Sequence, residues 1–182
     1  MRIFLITLLL GISVLTMAKD IILPVFSMSE YDLKNGIIDV FIQEQKDGSK
    51  LSVTVVFKDE DHPCFLLDPL YDIYRFFRYG RVADIETFFF HLNPDGSIKA
   101  LEFPGVFAGD HSFRDTKDLH GTAILMAEEL IFIDGRPLIY VNTWNHMFGV
   151  RPSFDTKDEK LIFDYNLSQG SRQDSEKKYS WH

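Results

Sequence analysis

The sequence predicts a mainly β protein: an antiparallel two-sheet sandwich carrying one or two short helices. Three observations point there. Asp-Gly pairs at 47–48, 95–96 and 134–135 each interrupt runs rich in β-branched and aromatic residues, which is the chemistry of hairpin turns that need positive φ. No regular alternation of strand and helix patterns marks out a parallel α/β sheet. The chain is 46 % apolar and 25 % charged over 182 residues, enough apolar side chain for one domain with a sizeable core.

The elements follow in order. Residues 1–18 (MRIFLITLLLGISVLTMA) carry one positive charge, an apolar run and a small-residue exit at Thr16 and Ala18, the pattern of a cleavable secretory signal. Its apolar core is shorter than the ~20 residues of a comfortable bilayer span. Residues 19–167 then read as a single β-sandwich domain, and 168–182 (SQGSRQDSEKKYSWH) as a polar, flexible tail. Strand pairs are expected at 37–42 with 51–57, at 85–92 with 98–103, and at 130–133 with 138–142, with a further strand at 161–165. Residues 68–77 (DPLYDIYRFF) fit a helix opened by Asp68 and Pro69, or an aromatic strand; 122–129 is ambiguous in the same way.

Charge and cysteine content exclude several functions. Nineteen Lys and Arg stand against 27 Asp and Glu, and removal of the signal, Arg2 included, leaves 164 residues with a net charge of −9. Such acidity opposes sequence-independent nucleic-acid binding, which needs a basic face to release counterions. A single cysteine, Cys64, rules out an internal disulfide framework and a Cys-rich zinc site. Its acidic neighbourhood (Asp59, Glu60, Asp61) disfavours a reactive thiolate. No nucleophile elbow, phosphate-binding glycine loop, dinucleotide fingerprint or HExxH pattern is present. Nothing after the signal reaches transmembrane length, so the expected address is secreted or periplasmic.

The chemistry-bearing candidates lie between about residues 59 and 151. Phe88, Phe89 and Phe90 read first as core, since phenylalanine lacks the polar handle of a stacking platform. Asp84 and Glu86, two apart on a strand, project from one face at its entry. Paired carboxylates there can bind a divalent cation such as Ca²⁺ or Mg²⁺, or divide proton donation and acceptance if their environments differ; a solvated strand end with Arg78 or Arg81 as counter-ion is the alternative. Asp110 and His111 sit in a polar connection of the kind that carries sites. Asn142, Trp144 and His146 crowd into one loop after an apolar strand and suit stacking on and hydrogen bonding to a polar ligand, or else a structural turn plugged by Trp144.

In the order of these features the chain resembles the superfamily of β-sandwich domains that includes the necrosis-inducing, cytolysin-like proteins and the vacuolar-protein-sorting-like domains. Their Gly-His-Arg-His-Asp-Trp-Glu heptapeptide falls on residues 80–86, where Gly80, Asp84 and Glu86 match and Arg81 and Ala83 replace both histidines. Residues 134–141 (DGRPLIYV) look like a second segment of that family, with His146 in the place of its loop histidine. The resemblance implies an antiparallel sandwich and, in the toxin branch, a divalent cation near the Asp-x-Glu pair.

The expected function is an exported, non-enzymatic binding domain for a polar surface ligand, a glycan, lipid headgroup or envelope component, bound directly or through a cation. Two alternatives stand beside it: a metal-dependent hydrolase with Glu86 or His146 as general base, and a structural envelope protein without a ligand site.

Overall fold

A computed structural model describes residues 22–115 and 120–181. The expected signal at 1–18 lies outside them.

The chain is mainly β, as its turns and aromatic runs imply, with eleven strands and two helices of eight residues or more among the described residues. The strands are β1 (Val25–Ser29), β2 (Ile37–Glu44), β3 (Lys50–Phe57), β4 (Asp84–Leu92), β5 (Ile98–Phe107), β6 (Gly121–Met126), β7 (Phe132–Ile133), β8 (Arg136–Val141), β9 (Phe148–Gly149), β10 (Glu159–Ile162) and β11 (Leu167–Gln169). Helix α1 (Asp68–Tyr79) joins β3 to β4, and α2 (Arg172–Tyr179) ends the chain. All three expected hairpins form, β2–β3, β4–β5 and β7–β8. The ambiguous 122–129 segment divides into β6 and a 3-10 turn, Ala127–Glu129.

The expectation of two separate antiparallel sheets is corrected. The strands run in one continuous mixed sheet, in the order β10-β1-β8-β9-β5-β4-β3-β2-β11, with β6 added to β5 and β7 to β8. It curls into a half-barrel. Three pairings are parallel: β1 with β8, β2 with β11 and β5 with β9. Each joins strands far apart in sequence or separated by a long connection, which hairpin signals do not reveal.

Phenylalanine fills the core. Phe88 packs edge-on against Phe148, Phe90, Phe103 and Phe26, with ring centroids 5.1, 5.5, 5.7 and 6.4 Å away. Such tilted pairs satisfy the ring quadrupoles while excluding water. Phe89, on the opposite face of β4, is only partly covered and carries the Lys50 ammonium 3.9 Å above its ring.

The polar C-terminal stretch, expected to be a flexible tail from Ser168 onward, is instead strand β11 and helix α2. Its apolar content is low, so ordering comes from polar ties. Ser171 caps α2 and forms a reciprocal box with Asp174. The buried carboxylate of Asp39, on β2, accepts from Ser168 Oγ, Lys178 Nζ (2.7 Å) and Tyr179 Oη (3.0 Å). Burying that charge unpaired would be costly, so the last residues are held by what they neutralise.

Removing residues 167–182 therefore takes from Asp39 all three of these partners together with the cover they give it. Urea unfolding of the truncated chain is expected to show a loss of roughly 3 kcal/mol or more, and Asp39→Asn in the truncated background to recover part of it.

Candidate functional site

The entry of β4 brings together side chains from four places in the sequence. Asp84 opens β4 opposite Phe57. Asp32 comes from the 3-10 turn Glu30–Asn35 after β1, Arg75 from α1, and His146 from the loop between β8 and β9. His146 takes a left-handed backbone, φ 53°, unusual for a residue with a Cβ. That conformation is fixed by His146 N–H donating to Thr143 O and by Thr143 Oγ1 accepting from Met147 N–H. It turns the imidazole into the interior, where the ring stacks flat on Phe57 at 3.8 Å and is fully buried.

His146 lies between two carboxylates. Nδ1 is 2.9 Å from Asp84 Oδ2, and Nε2 is 3.2 Å from Asp32 Oδ2, the second contact being electrostatic rather than a well-aligned hydrogen bond. Burial alone would lower the imidazole pKa, but the two carboxylates outweigh it and raise it to about 10. The ring is an imidazolium at neutral pH, with no lone pair to serve as a general base. Burial alone would likewise raise Asp84; the bond and charge of His146, with Arg75 and Arg81 behind them, hold its carboxyl below its ordinary range.

Arg75 extends the network. It is almost wholly buried, and its guanidinium lies 3.2 Å from Glu60 Oε2, 3.3 Å from Asp59 Oδ1 and 3.7 Å from Asp84 Oδ1. Tyr71, one turn earlier on α1, donates its hydroxyl to Glu60 Oε1 at 2.9 Å. These contacts face an open cleft of about 1310 Å³ whose lining includes Glu60, Tyr71, Arg81, Asp84, Glu86 and Arg172. The two glutamates behave differently from Asp84. Burial, then repulsion by Asp84, raises Glu60 to about 7 against the pull of Arg75. The same two causes raise Glu86 well above its ordinary value, against Arg172, whose guanidinium lies 3.7 Å away. One strand face thus carries two carboxyl groups pushed in opposite directions, Asp84 toward its ionised form and Glu86, two residues on, toward its neutral form.

The expected site residues separate into groups. Asp84 and His146 meet directly, and Glu86 lines the same cleft. Asn142 is buried and structural in its contacts: its amide donates to Arg151 O and accepts from Ser153 N–H. Gly149 must be glycine there, since a Cβ would come within 2.4 Å of the Asn142 amide. Trp144 donates to Asp115 O and lies edge-on to His62 and Tyr71, beside the cleft wall. Asp110 is exposed, and His111 pairs with Asp115 at 2.9 Å, on a loop of its own. Sequence reasoning missed Asp32, Glu60, Tyr71, Arg75 and Arg172. An arginine among Leu70, Ile73, Phe76 and Phe77 was a legible anomaly, but its partners are set by tertiary contacts.

A cation between Asp84 and Glu86 fits these donors poorly. Asp84 is already paired with the His146 imidazole and the Arg75 guanidinium, and burial with the Asp84 charge pushes Glu86 toward its neutral form. Among the described residues no cluster of three or more His, Cys, Asp or Glu side chains is arranged to hold a metal ion. No described helix is long and apolar enough to cross a membrane. Compared with models of known protein families, with curated protein sequences and with solved structures, the chain gives no match.

The raised pKa of His146 has a consequence for stability. Its contribution is fully present below the unfolded value near 6.5 and is lost as pH rises through about 10. The melting temperature is expected to fall across that window. In His146→Gln it should be lower at pH 7 and flatter with pH, which differential scanning calorimetry between pH 6 and pH 10 will show.

Proposed function

We propose that this protein is an exported, non-enzymatic binding domain that takes a polar, hydroxyl-rich ligand of the glycan type in the cleft beside β4. The observation that carries the reading is the lining itself: an open groove in which carboxylic acid, carboxylate, phenol and guanidinium groups lie side by side. Such a set both donates and accepts, as sugar hydroxyls require, and an open cleft with a polar lining suits a hydroxyl-rich molecule better than a small apolar one sealed from water. Glu86 and Arg172 face each other across the lining at 3.7 Å, too long for a tight hydrogen-bonded pair, while Arg172 is steadied through its Nε by Glu176 at 2.9 Å, which leaves its outer nitrogens for a ligand. Tyr79 and Tyr71 supply faces for stacking on the α1 side. Export rests on the signal-like residues 1–18, and kinship with the necrosis-inducing and vacuolar-protein-sorting-like domains on Gly80, Asp84 and Glu86. The lipid-headgroup and cation-bridged forms of the reading draw less support, the first from the acidity of the chain and the second from the engagement of Asp84.

Glycan-array binding followed by calorimetry on the best hit tests this. Arg172→Ala and Glu86→Gln are each expected to weaken binding roughly tenfold, the scale of one hydrogen bond, charge-assisted in the case of Arg172, with no effect of EDTA. Unchanged affinity in both variants, or binding only to lipid vesicles, would overturn the glycan reading.

The opposite pKa shifts of Asp84 and Glu86, two residues apart in the cleft lining, favour a second reading, hydrolysis with Glu86 as general acid. Turnover of aryl glycosides that disappears in Glu86→Gln, while binding persists, would replace the first reading with this one.

A further inference from the structure

Helix α1 is amphipathic in the wrong sense for a helix covering a core. Its buried residue is Arg75, and its polar side, with Tyr71, faces the ionic network. Its apolar side faces out. Leu66, in the turn that leads into it, and Leu70, Ile73 and Phe77 are 70 %, 64 %, 53 % and 82 % exposed, with Phe65 and Tyr74 beside them. The intervals 66–70–73–77 are four, three and four residues, the spacing of a helix–helix seam, and no charged side chain falls on that line.

We propose that this face pairs antiparallel with α1 of a second copy of the chain, forming a two-fold dimer. Area supports a protein partner. Large side chains of 150–250 Å² at these exposures leave roughly 700 Å² of apolar surface, above the usual largest patch on a monomer and close to one side of a standard interface of ~800 Å². Self-pairing is the arrangement the seam allows without further groups: one stripe, read in both directions, is complementary to itself under a two-fold axis. Antiparallel packing also sets the Asp68 end of each helix beside the Arg78 end of the other, so terminal charges and helix dipoles attract. A lipid surface is the poorer occupant. Helices that lie in a membrane interface carry Lys and Arg along their polar side, whereas α1 has two Asp and two Arg, one of them buried, in an acidic chain. The dimer sets two α1 helices back to back and leaves each cleft open on the side away from the seam.

Sedimentation of the purified protein between about 1 and 100 µM tests the pairing. The wild type is expected to pass from monomer to dimer. Ile73→Glu and Phe77→Glu change exposed residues, so their circular dichroism and melting at low concentration should match wild type while dimerisation weakens roughly 100-fold. Cys64 is exposed just before the helix, and antiparallel pairing keeps the two copies of it at opposite ends of the seam. Mild oxidation should therefore not link Cys64 to Cys64. A wild type that stays monomeric at the highest concentration, variants that dimerise as well as wild type, or a monomer that floats with phosphatidylcholine vesicles would each overturn the proposal. Efficient Cys64–Cys64 cross-linking would overturn the antiparallel arrangement.

Discussion

The ion pair between Asp84 and His146 holds the functional end of this molecule together. Removing either charge leaves the other buried with only a longer contact, Asp84 with Arg75 at 3.7 Å or His146 with Asp32 at 3.2 Å, and a poorly paired buried ion is costly. Around that pair the chain assembles what the sheet alone would not: the turn after β1 through Asp32, the β8–β9 loop through His146, and α1 through Arg75. The remaining strands close on phenylalanine, a non-directional adhesive. The ionic cluster is directional, and it decides how the loops sit on the end of the half-barrel.

This explains why α1 behaves unlike an ordinary surface helix. A helix usually pays its ordering entropy by burying an apolar stripe. Here Arg75 and Tyr71 face inward and anchor the helix by charge and hydrogen bonding, which frees the leucines and phenylalanines for the outer side. The burial that would normally stabilise such a stripe is still outstanding, and a protein partner is the physical means of obtaining it.

Much of the fold was legible in the sequence because it is local. Asp47-Gly48, Asp95-Gly96 and Asp134-Gly135 announce their hairpins through turn chemistry, and Phe88 and Phe90 announce a core strand through size and alternation. The parallel pairings of β1 with β8 and β2 with β11 have no local signature, which is why two antiparallel sheets were expected where one mixed sheet stands. The C-terminal stretch misled for a related reason: its polarity reads as solvation, yet Lys178, Tyr179 and Ser168 are polar because Asp39 is buried opposite them. In the site, the Asp84/Glu86 spacing and the unusual His146 loop were readable as candidates. Their partners Asp32, Glu60 and Arg172 lie tens of residues away, and even Arg75, nine residues before Asp84, acquires its meaning only when the chain closes.

The network also sets the chemistry of the cleft it supports. Asp84 stays ionised because His146 and Arg75 stabilise its charge, and an ionised Asp84 opposes ionisation of its neighbours. Glu60 and Glu86 are each raised first by burial and next by that one carboxylate. Burial and the Asp84 charge thus act together to favour the neutral forms of Glu60 and Glu86 in the cleft. Replacing the cluster with apolar side chains of similar volume could hold the loops equally well, since buried ion pairs are seldom more stabilising than good packing. It would remove the Asp84 charge that raises Glu60 and Glu86 together with the His146 charge that lowers them, leaving burial, the larger cause, in place. An apolar replacement would keep the shape and lose the hydrogen-bonding character, so the ionic cluster is better understood as tuning the site than as strengthening the fold.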